Sequence, residues 1–395
     1  MVANLEVEST QSQHAPRIFH AAIKFLYFSF FVWFCAIGPM RPFANYDMLL
    51  YAGAVLDMSG QKDNLRTRSL AEVKKYVSAE QYSHFIGGSY FRETVAKDDR
   101  AFIEQLPAYL VKPLYVLLTG LLGVILDNIA LASVLISAAG FFMMGGALYL
   151  LRPPDIYEPF WLVATMGVLY LGHPSLTLLT RVATPDSLAT GLILMGFWAY
   201  LRKPQSVLPI ILISLSILAR PDSIITTVCL FPLFAKFFIK GITRVEWLFG
   251  SVMTPILIYS LGKTFFPGLG FAELIIYAIK GPFPYFSSME TSQFIGIYSQ
   301  ALQNDFLSLI TLPRIDIFLI ASLALLVFSK NHYAKLIVLA ALGNLVVKVI
   351  LFPNFDVGYQ ERYFFISYFL LLFAAFNGQE NPHFLRDKFK PCNPG

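Results

Sequence analysis

Residues 113–126 read PLYVLLTGLLGVIL, with Lys112 before them and Asp127-Asn128 after them. How this stretch meets a bilayer decides the fold, because every later apolar run changes sides if it crosses. At 1.5 Å per residue it reaches only about 21 Å as a helix, short of a hydrocarbon core of ~30 Å. Ten longer or clearer apolar runs surround it, at 19–39, 129–151, 159–180, 187–201, 206–219, 223–239, 247–265, 315–329, 336–352 and 363–377. The distribution of basic residues arbitrates. With 113–126 re-entrant or interfacial, Arg17, Lys24, Arg152, Arg202, Lys203, Lys236, Lys240, Arg244, Lys330, Lys335, Arg386, Lys388 and Lys390 all fall on one side. With 113–126 as a span, the N-terminal basic residues separate from all the others. The re-entrant reading follows, with both termini cytoplasmic.

The composition agrees with a membrane-embedded chain. Of 395 residues, 56% are hydrophobic and only 14% are charged, against about 25% charged in soluble domains. The mean hydropathy is +0.61, and the formal net charge of +5 is modest, so placement of charge matters more than its amount. The expected fold is an all-α polytopic membrane protein of about ten transmembrane helices, a single domain over 1–395. Its parts are a cytoplasmic tail at 1–18, a first extracytoplasmic loop at 40–128 with re-entrant or interfacial helices, a second at 266–314, and a cytoplasmic tail at 378–395. The first run, Phe19 to Pro39, is too long for a signal peptide and is expected to remain as an anchor. Within the first loop, Ser69-x-x-Glu72 reads as a capping box, and Leu70, Val73 and Val77 read as the apolar stripe of an interfacial helix.

Cys35 and Cys229 lie inside apolar runs and Cys392 in the tail, with no disulfide or metal-ligand spacing. His84 and His173 are isolated, and no D-x-D pair occurs, so neither metal nor cofactor is expected. No Asn-x-Ser/Thr sequon is present, which leans toward a bacterial inner membrane over an endoplasmic-reticulum membrane.

Under this topology the ionisable residues at outer span ends are Asp47, Lys112, Arg181, Asp186, Arg220, Asp222, Lys348, Asp356, Glu361 and Arg362. An unpaired charge at the centre of a bilayer costs ~2.5–3.5 kcal/mol on insertion scales, so such residues pair or face water. Runs 187–201 and 206–219 reach only about 21–23 Å as helices. Asp186 and Arg220, at their ends, are therefore expected below the outer surface, on the floor of a cavity.

The motifs YDMLLYAG (46–53), LVKPLYVLLTGLLG (110–123), TRVATPDSLATGLILMGFWAYLR (180–202), ILARPDSI (217–224) and QERYFFISYFLLL (360–372) follow one another in this order. Together they resemble the GT-C superfamily of integral membrane glycosyltransferases, of the protein O-mannosyltransferase and aminoarabinose transferase type. The resemblance spans most of residues 20–377, through short and degenerate motifs. It implies transfer of a sugar from a polyprenyl-phosphate donor to an acceptor (a glycan, lipid or protein) at the extracytoplasmic face, with membrane lipids and no nucleic acid as further partners. It also implies a catalytic acid in the first outer loop and a second beyond the next spans, which Asp47 and Asp186 match.

The chemistry of the residues supports those roles and also supplies plainer ones. Asp47 suits a general base whose pKa burial raises toward neutrality, or a helix cap. Asp186 suits a second acid, or the cap of the span starting at Ser187. Lys112 suits a leaving phosphate, or snorkels from an interfacial helix. Arg220 and Arg362 suit bidentate phosphate binding, or pairing of Arg220 with Asp186 or Asp222 and of Arg362 with Glu361. Tyr51, Arg181 and Asp222 complete the implied substrate-binding set. The alternatives are a transporter or flippase of a lipid-linked saccharide and an O-antigen polymerase or ligase. Charges gathered at one face, without similar halves, favour the enzyme. An impermeant thiol reagent added outside should label Gly60→Cys and leave Lys203→Cys untouched; labelling of the latter would make 113–126 a span.

Overall fold

The computed structural model describes residues 3–88, 90–152, 156–171, 178–202, 206–228, 244–265, 291–310, 313–351 and 364–377. Among them the chain is all-helical, with no strand. Helix α1 (Ala3–Met40) leads into a short extended turn and then α2 (Tyr46–Met58), α3 (Leu65–Tyr76), α4 (Ala79–Ile86), α5 (Tyr90–Lys97), α6 (Asp99–Ile103) and α7 (Pro107–Leu110). Next come α8 (Pro113–Leu126), α9 (Ile129–Leu150), α10 (Glu158–Leu171), α11 (Asp186–Arg202), α12 (Leu208–Ala219) and α13 (Arg244–Phe265). The last described helices are α14 (Thr291–Ile310), α15 (Pro313–Phe328), α16 (His332–Leu351) and α17 (Phe365–Asn377).

Three stretches are long and apolar enough to cross a membrane, Ile18–Met40, Ile129–Leu150 and Ala334–Leu351. Helices over Leu208–Ala219, Ile315–Phe328 and Phe365–Phe376 are apolar but shorter. Large apolar side chains face outward on these elements, among them Phe25, Val32 and Trp33 on α1 and Ile320, Leu323 and Val327 on α15. A surface of that kind is stable against lipid and not against water. Runs 229–239 and 266–290 and the tail from 378 lie outside the described residues, and with them part of the expected ten spans.

The deciding stretch forms one helix, α8, bent by 109° from the 99–110 segment at a break of two residues. The cause is local. Pro113 has no N–H to continue the preceding helix but fits the first position of a new one. Lys112 is held off the helical region, at φ −114° and ψ 58°, by the proline that follows it. At the other end Asp127 turns left-handed at φ 51°, and the Asn128 side chain accepts from Leu131 N at 2.8 Å to start α9. The shape is that of a broken span or a re-entrant hairpin.

The capping-box expectation in the first loop is corrected. Helix α3 starts at Leu65, so Ser69 lies inside it and donates to Leu65 O at 2.7 Å. Glu72 instead accepts from Ile129 N at 2.9 Å, holding the start of α9. The capping box in this loop is Ser78 with Gln81, at the start of α4. Leu70, Val73 and Val77 pack into the core with α2, and so do not face lipid. Local pattern identified the helix but not its partner, because apolar residues at helical spacing look alike against lipid and against protein.

Helix α11 lies at the centre, buried along most of its length between α9 and α12. Its approach to α9 depends on glycine: a Cβ on Gly140 would collide with the backbone of Ser187 and Leu188, and one on Gly191 with Gly140 O. Ser187 donates to Ser137 O at 2.5 Å and Ser137 to Thr184 O at 2.7 Å, so polar groups at this contact are also satisfied. A second layer joins α1, α10, α16 and α17 through Tyr27, Phe31, Trp161, Val338, Phe365 and Phe369. Gly140→Leu should lower the folded yield and Tm of the purified protein by the equivalent of ~3 kcal/mol or more, the upper range for overpacking. The same change at Gly146, where a Cβ meets nothing, should leave both nearly unchanged.

Candidate functional site

The first aspartate of α2 is placed by the loop ahead of it. Arg181 Nε donates to Arg41 O at 2.6 Å, and Phe43 N donates to Arg181 O at 3.0 Å. These bonds tie residues 41–43 to the turn that precedes α11. Buried Asn45 then points both ways: its Oδ1 accepts from Ala183 N at 3.4 Å, and its Nδ2 donates to Asp47 Oδ2 at 2.6 Å. Tyr109 OH donates to Asp47 Oδ1 at 2.7 Å. Half-buried at the first turn of α2, Asp47 also feels the positive end of the helix dipole. Arg181 is thus engaged with backbone carbonyl of the loop, a role that clips two segments together.

One turn further on, Tyr51 is fully buried and meets Tyr109 and Tyr115 edge-on, at 4.9 and 4.7 Å between centroids. Lys112 stands over two of these rings, its Nζ 4.7 Å from the Tyr109 centroid and 5.3 Å from that of Tyr51. The break before Pro113 puts the lysine there. Cation–π attraction holds an ammonium in this partly desolvated position. Tyr109 therefore joins Asp47, through its hydroxyl, to Lys112, through its ring.

Asp186 opens α11 and is buried. Arg220, at the end of α12, forms ion pairs with both Asp186 and Asp222. On the far side of Asp222, Lys348 Nζ from α16 lies 3.8 Å from Oδ2. Burial pushes the Asp222 carboxyl up, but the charges of Arg220, Lys348 and Lys112 outweigh burial and hold it below the usual carboxylate range. The hydrogen bond from Ala183 N to Asn45 Oδ1 ties the Asp47 side to the turn that precedes Asp186. Beside the site, Val111, Pro113, Ile217, Leu218, Pro221 and Lys263 line a shallow apolar groove.

Of the residues singled out from the sequence, Asp47, Tyr51 and Lys112 gather around Tyr109, and Asp186, Arg220 and Asp222 form a second cluster. Arg181 acts on the supporting loop, and Arg362 lies outside the described residues. Asn45, Tyr109 and Lys348 enter only with the structure. Lys348 had a signal, a lysine within an apolar run, and Tyr109 lies one turn before Lys112; Asn45 had none beyond its place two residues before Asp47.

Comparison of the chain with known protein families, with curated proteins and with solved structures returns no match. The fold defines the class: a helical membrane protein, with a buried site of paired charges where several helices end.

Arg220 is the member on which the others depend. Arg220→Leu removes the guanidinium shared by Asp186 and Asp222, and breaking a buried pair typically destabilises by ~3–5 kcal/mol. Denaturation of the variant should show a loss of that order, partly recovered by adding Asp186→Asn. The depressed pKa of Asp222 contributes stability that is fully present above the ordinary aspartate pKa, ~3.9. That stability is lost as the pH falls from there through the lower folded value, so Asp222→Asn should flatten this part of the acid-denaturation curve.

Proposed function

We propose that this chain is a multi-pass membrane glycosyltransferase of the GT-C type, in a bacterial inner membrane. It transfers a sugar from a polyprenyl-phosphate donor to an acceptor at the extracytoplasmic face. The observation that carries the reading is a pair of clusters, Asp47 with Tyr109 and Lys112 beside Tyr51, and Asp186 with Arg220 and Asp222, tied by the Asn45–Ala183 hydrogen bond.

The roles divide by geometry. Asp47 is the general base that takes the acceptor's hydroxyl proton. Asn45 and the Tyr109 hydroxyl each hold one of its oxygens. Both partners donate to the carboxylate, which fixes its orientation. Lys112 meets the negative charge that grows on the leaving phosphate as the glycosidic bond breaks. Its two ring contacts keep the ammonium oriented at low local dielectric, where charge stabilisation is stronger than in water. Arg220 is bracketed by two carboxylates, so it organises Asp186 and Asp222 and is poorly suited to take donor phosphate directly. Arg362 keeps the role of phosphate binder implied by the resemblance.

The decisive assay offers purified protein a panel of polyprenyl-phosphate sugars and scores which one is consumed. Consumption of none, by protein that is folded, would remove the reading and favour transport of a lipid-linked saccharide. Asp47→Asn keeps the shape and removes the base, so turnover should fall ~10²–10⁴-fold while donor binding persists. Near-normal turnover in the folded variant would return Asp47 to helix capping.

A further inference from the structure

The ion-pair chain contains one cation that the proposed reaction does not use. Lys348 belongs to α16, in the C-terminal part of the sequence, and is buried. It lies within Ala334–Leu351, one of the stretches long and apolar enough to cross a membrane. A lysine in such a place persists only with a partner that offsets its desolvation. One such partner is Asp222, and its two oxygens are in different situations. Oδ1 is taken by Arg220. Oδ2 is buried and accepts no hydrogen bond among the described residues, and Lys348 Nζ at 3.8 Å is the positive charge opposite it.

We propose that Lys348 is a positioning residue of this site, acting through Asp222 to keep Arg220 committed to Asp186. A guanidinium prefers to grip both oxygens of one carboxylate. With Lys348 in place, Asp222 Oδ2 already has its counter-charge, so Arg220 divides its donors between Asp222 and Asp186. Without Lys348, Arg220 turns to cover both Asp222 oxygens and draws away from Asp186, which is left as a buried carboxylate with weaker compensation. The arrangement is held from a second direction: on the next turn of α16, Asn344 accepts from Thr226 at 2.6 Å and donates to Ser367 at 2.8 Å. Helix α16 thus grips the segment after Arg220 at two points, one ionic and one neutral.

The effect on turnover rests on the glycosyl-transfer reading; the effect on pairing does not. The test therefore has two arms, both on the full chain in lipid nanodiscs. In the first, Tm is measured for Arg220→Gln, Asp186→Asn and their double variant, each with Lys348 and with Lys348→Met. The non-additivity between Arg220 and Asp186 should shrink by at least half in the Lys348→Met background; equal non-additivity in both backgrounds overturns the proposal. In the second, Lys348→Met should lower kcat about tenfold or more with donor KM within about threefold, and Lys348→Arg should restore most of it. A lower Tm with unchanged kcat in the folded fraction would make Lys348 a packing residue only and overturn its positioning role. If the wild-type chain consumes no donor, the glycosyl-transfer reading falls, and the first arm still decides the pairing. If Lys348→Met does not fold, Lys348→Gln, shorter and hydrogen-bonding, carries both arms.

Discussion

Asp222 and Asp186 are carboxylates buried in an apolar bundle, and a single guanidinium serves both. A carboxylate placed in such surroundings without a counter-charge is expensive enough to unfold a protein of ordinary stability. The constraint reaches outward from there. Arg220 must leave α12 in an extended conformation, at φ −154° and ψ 111°, to lie between the two acids. Helix α11 must begin at Asp186, and it can pack against α9 only because Gly140 and Gly191 let the backbones approach. Helix α16 must present a lysine at Asp222. Four helices are placed by one requirement of electrostatic compensation.

The first outer loop obeys a different rule. Its helices are short, and exposed ion pairs such as Arg66 with Asp99 join them to one another, while hydrogen bonds to backbone and aromatic contacts hold them to the bundle. Glu72 fixes the start of α9, Tyr76 donates to Pro39 O at 2.6 Å, and Gln81 Nε2 donates to Pro42 O at 3.1 Å. Those bonds seat the loop on the ends of the helices, and Tyr109 and Lys112 arrive beside Asp47 as a result. Pro113 has the largest local effect: by breaking the chain at Lys112 it turns a continuous apolar stretch into a corner. The corner leaves the lysine among rings, 4.7 Å from the Tyr109 centroid. An acid with two donors and a lysine held over aromatic faces are thereby set beside a balanced ion-pair chain.

At the opposite end of the chain's apolar segments the charges follow the same logic in simpler form. Lys24 and Glu158 pair at 2.9 Å between α1 and α10, with His20 4.0 Å from the same carboxylate. Burial raises the Glu158 pKa, and bonding to Lys24 and Tyr149 and the charge of Arg152 outweigh it and lower the value overall. This contact lies far along α1 from the Asp47 turn, so the bundle carries paired charges near both ends of its first helix.

Read by itself, the sequence determined the class and the cast. Low charge and long apolar runs determined a helical membrane protein, because lipid admits only backbones that satisfy their own hydrogen bonds. Charges at the run ends named Asp47, Lys112, Asp186, Arg220 and Asp222, because an ionisable residue beside an apolar run stands out. The proline after Lys112 marked the break in advance. Tertiary structure alone decided who pairs with whom. Arg220 had two acids within reach in the sequence, and it takes both. Arg181, equally conspicuous as a charge, is spent on Arg41 O. Asn45 and Tyr109 carry no charge and no periodic signal, yet they hold both oxygens of Asp47. Lys348 is 126 residues from Asp222 by number, and nothing local says that their helices meet. Periodicity reports which residues are apolar and how long a segment runs. Hydrogen bonds and ion pairs depend on distances of a few ångströms between segments far apart in the chain, and those distances are set only when the helices pack.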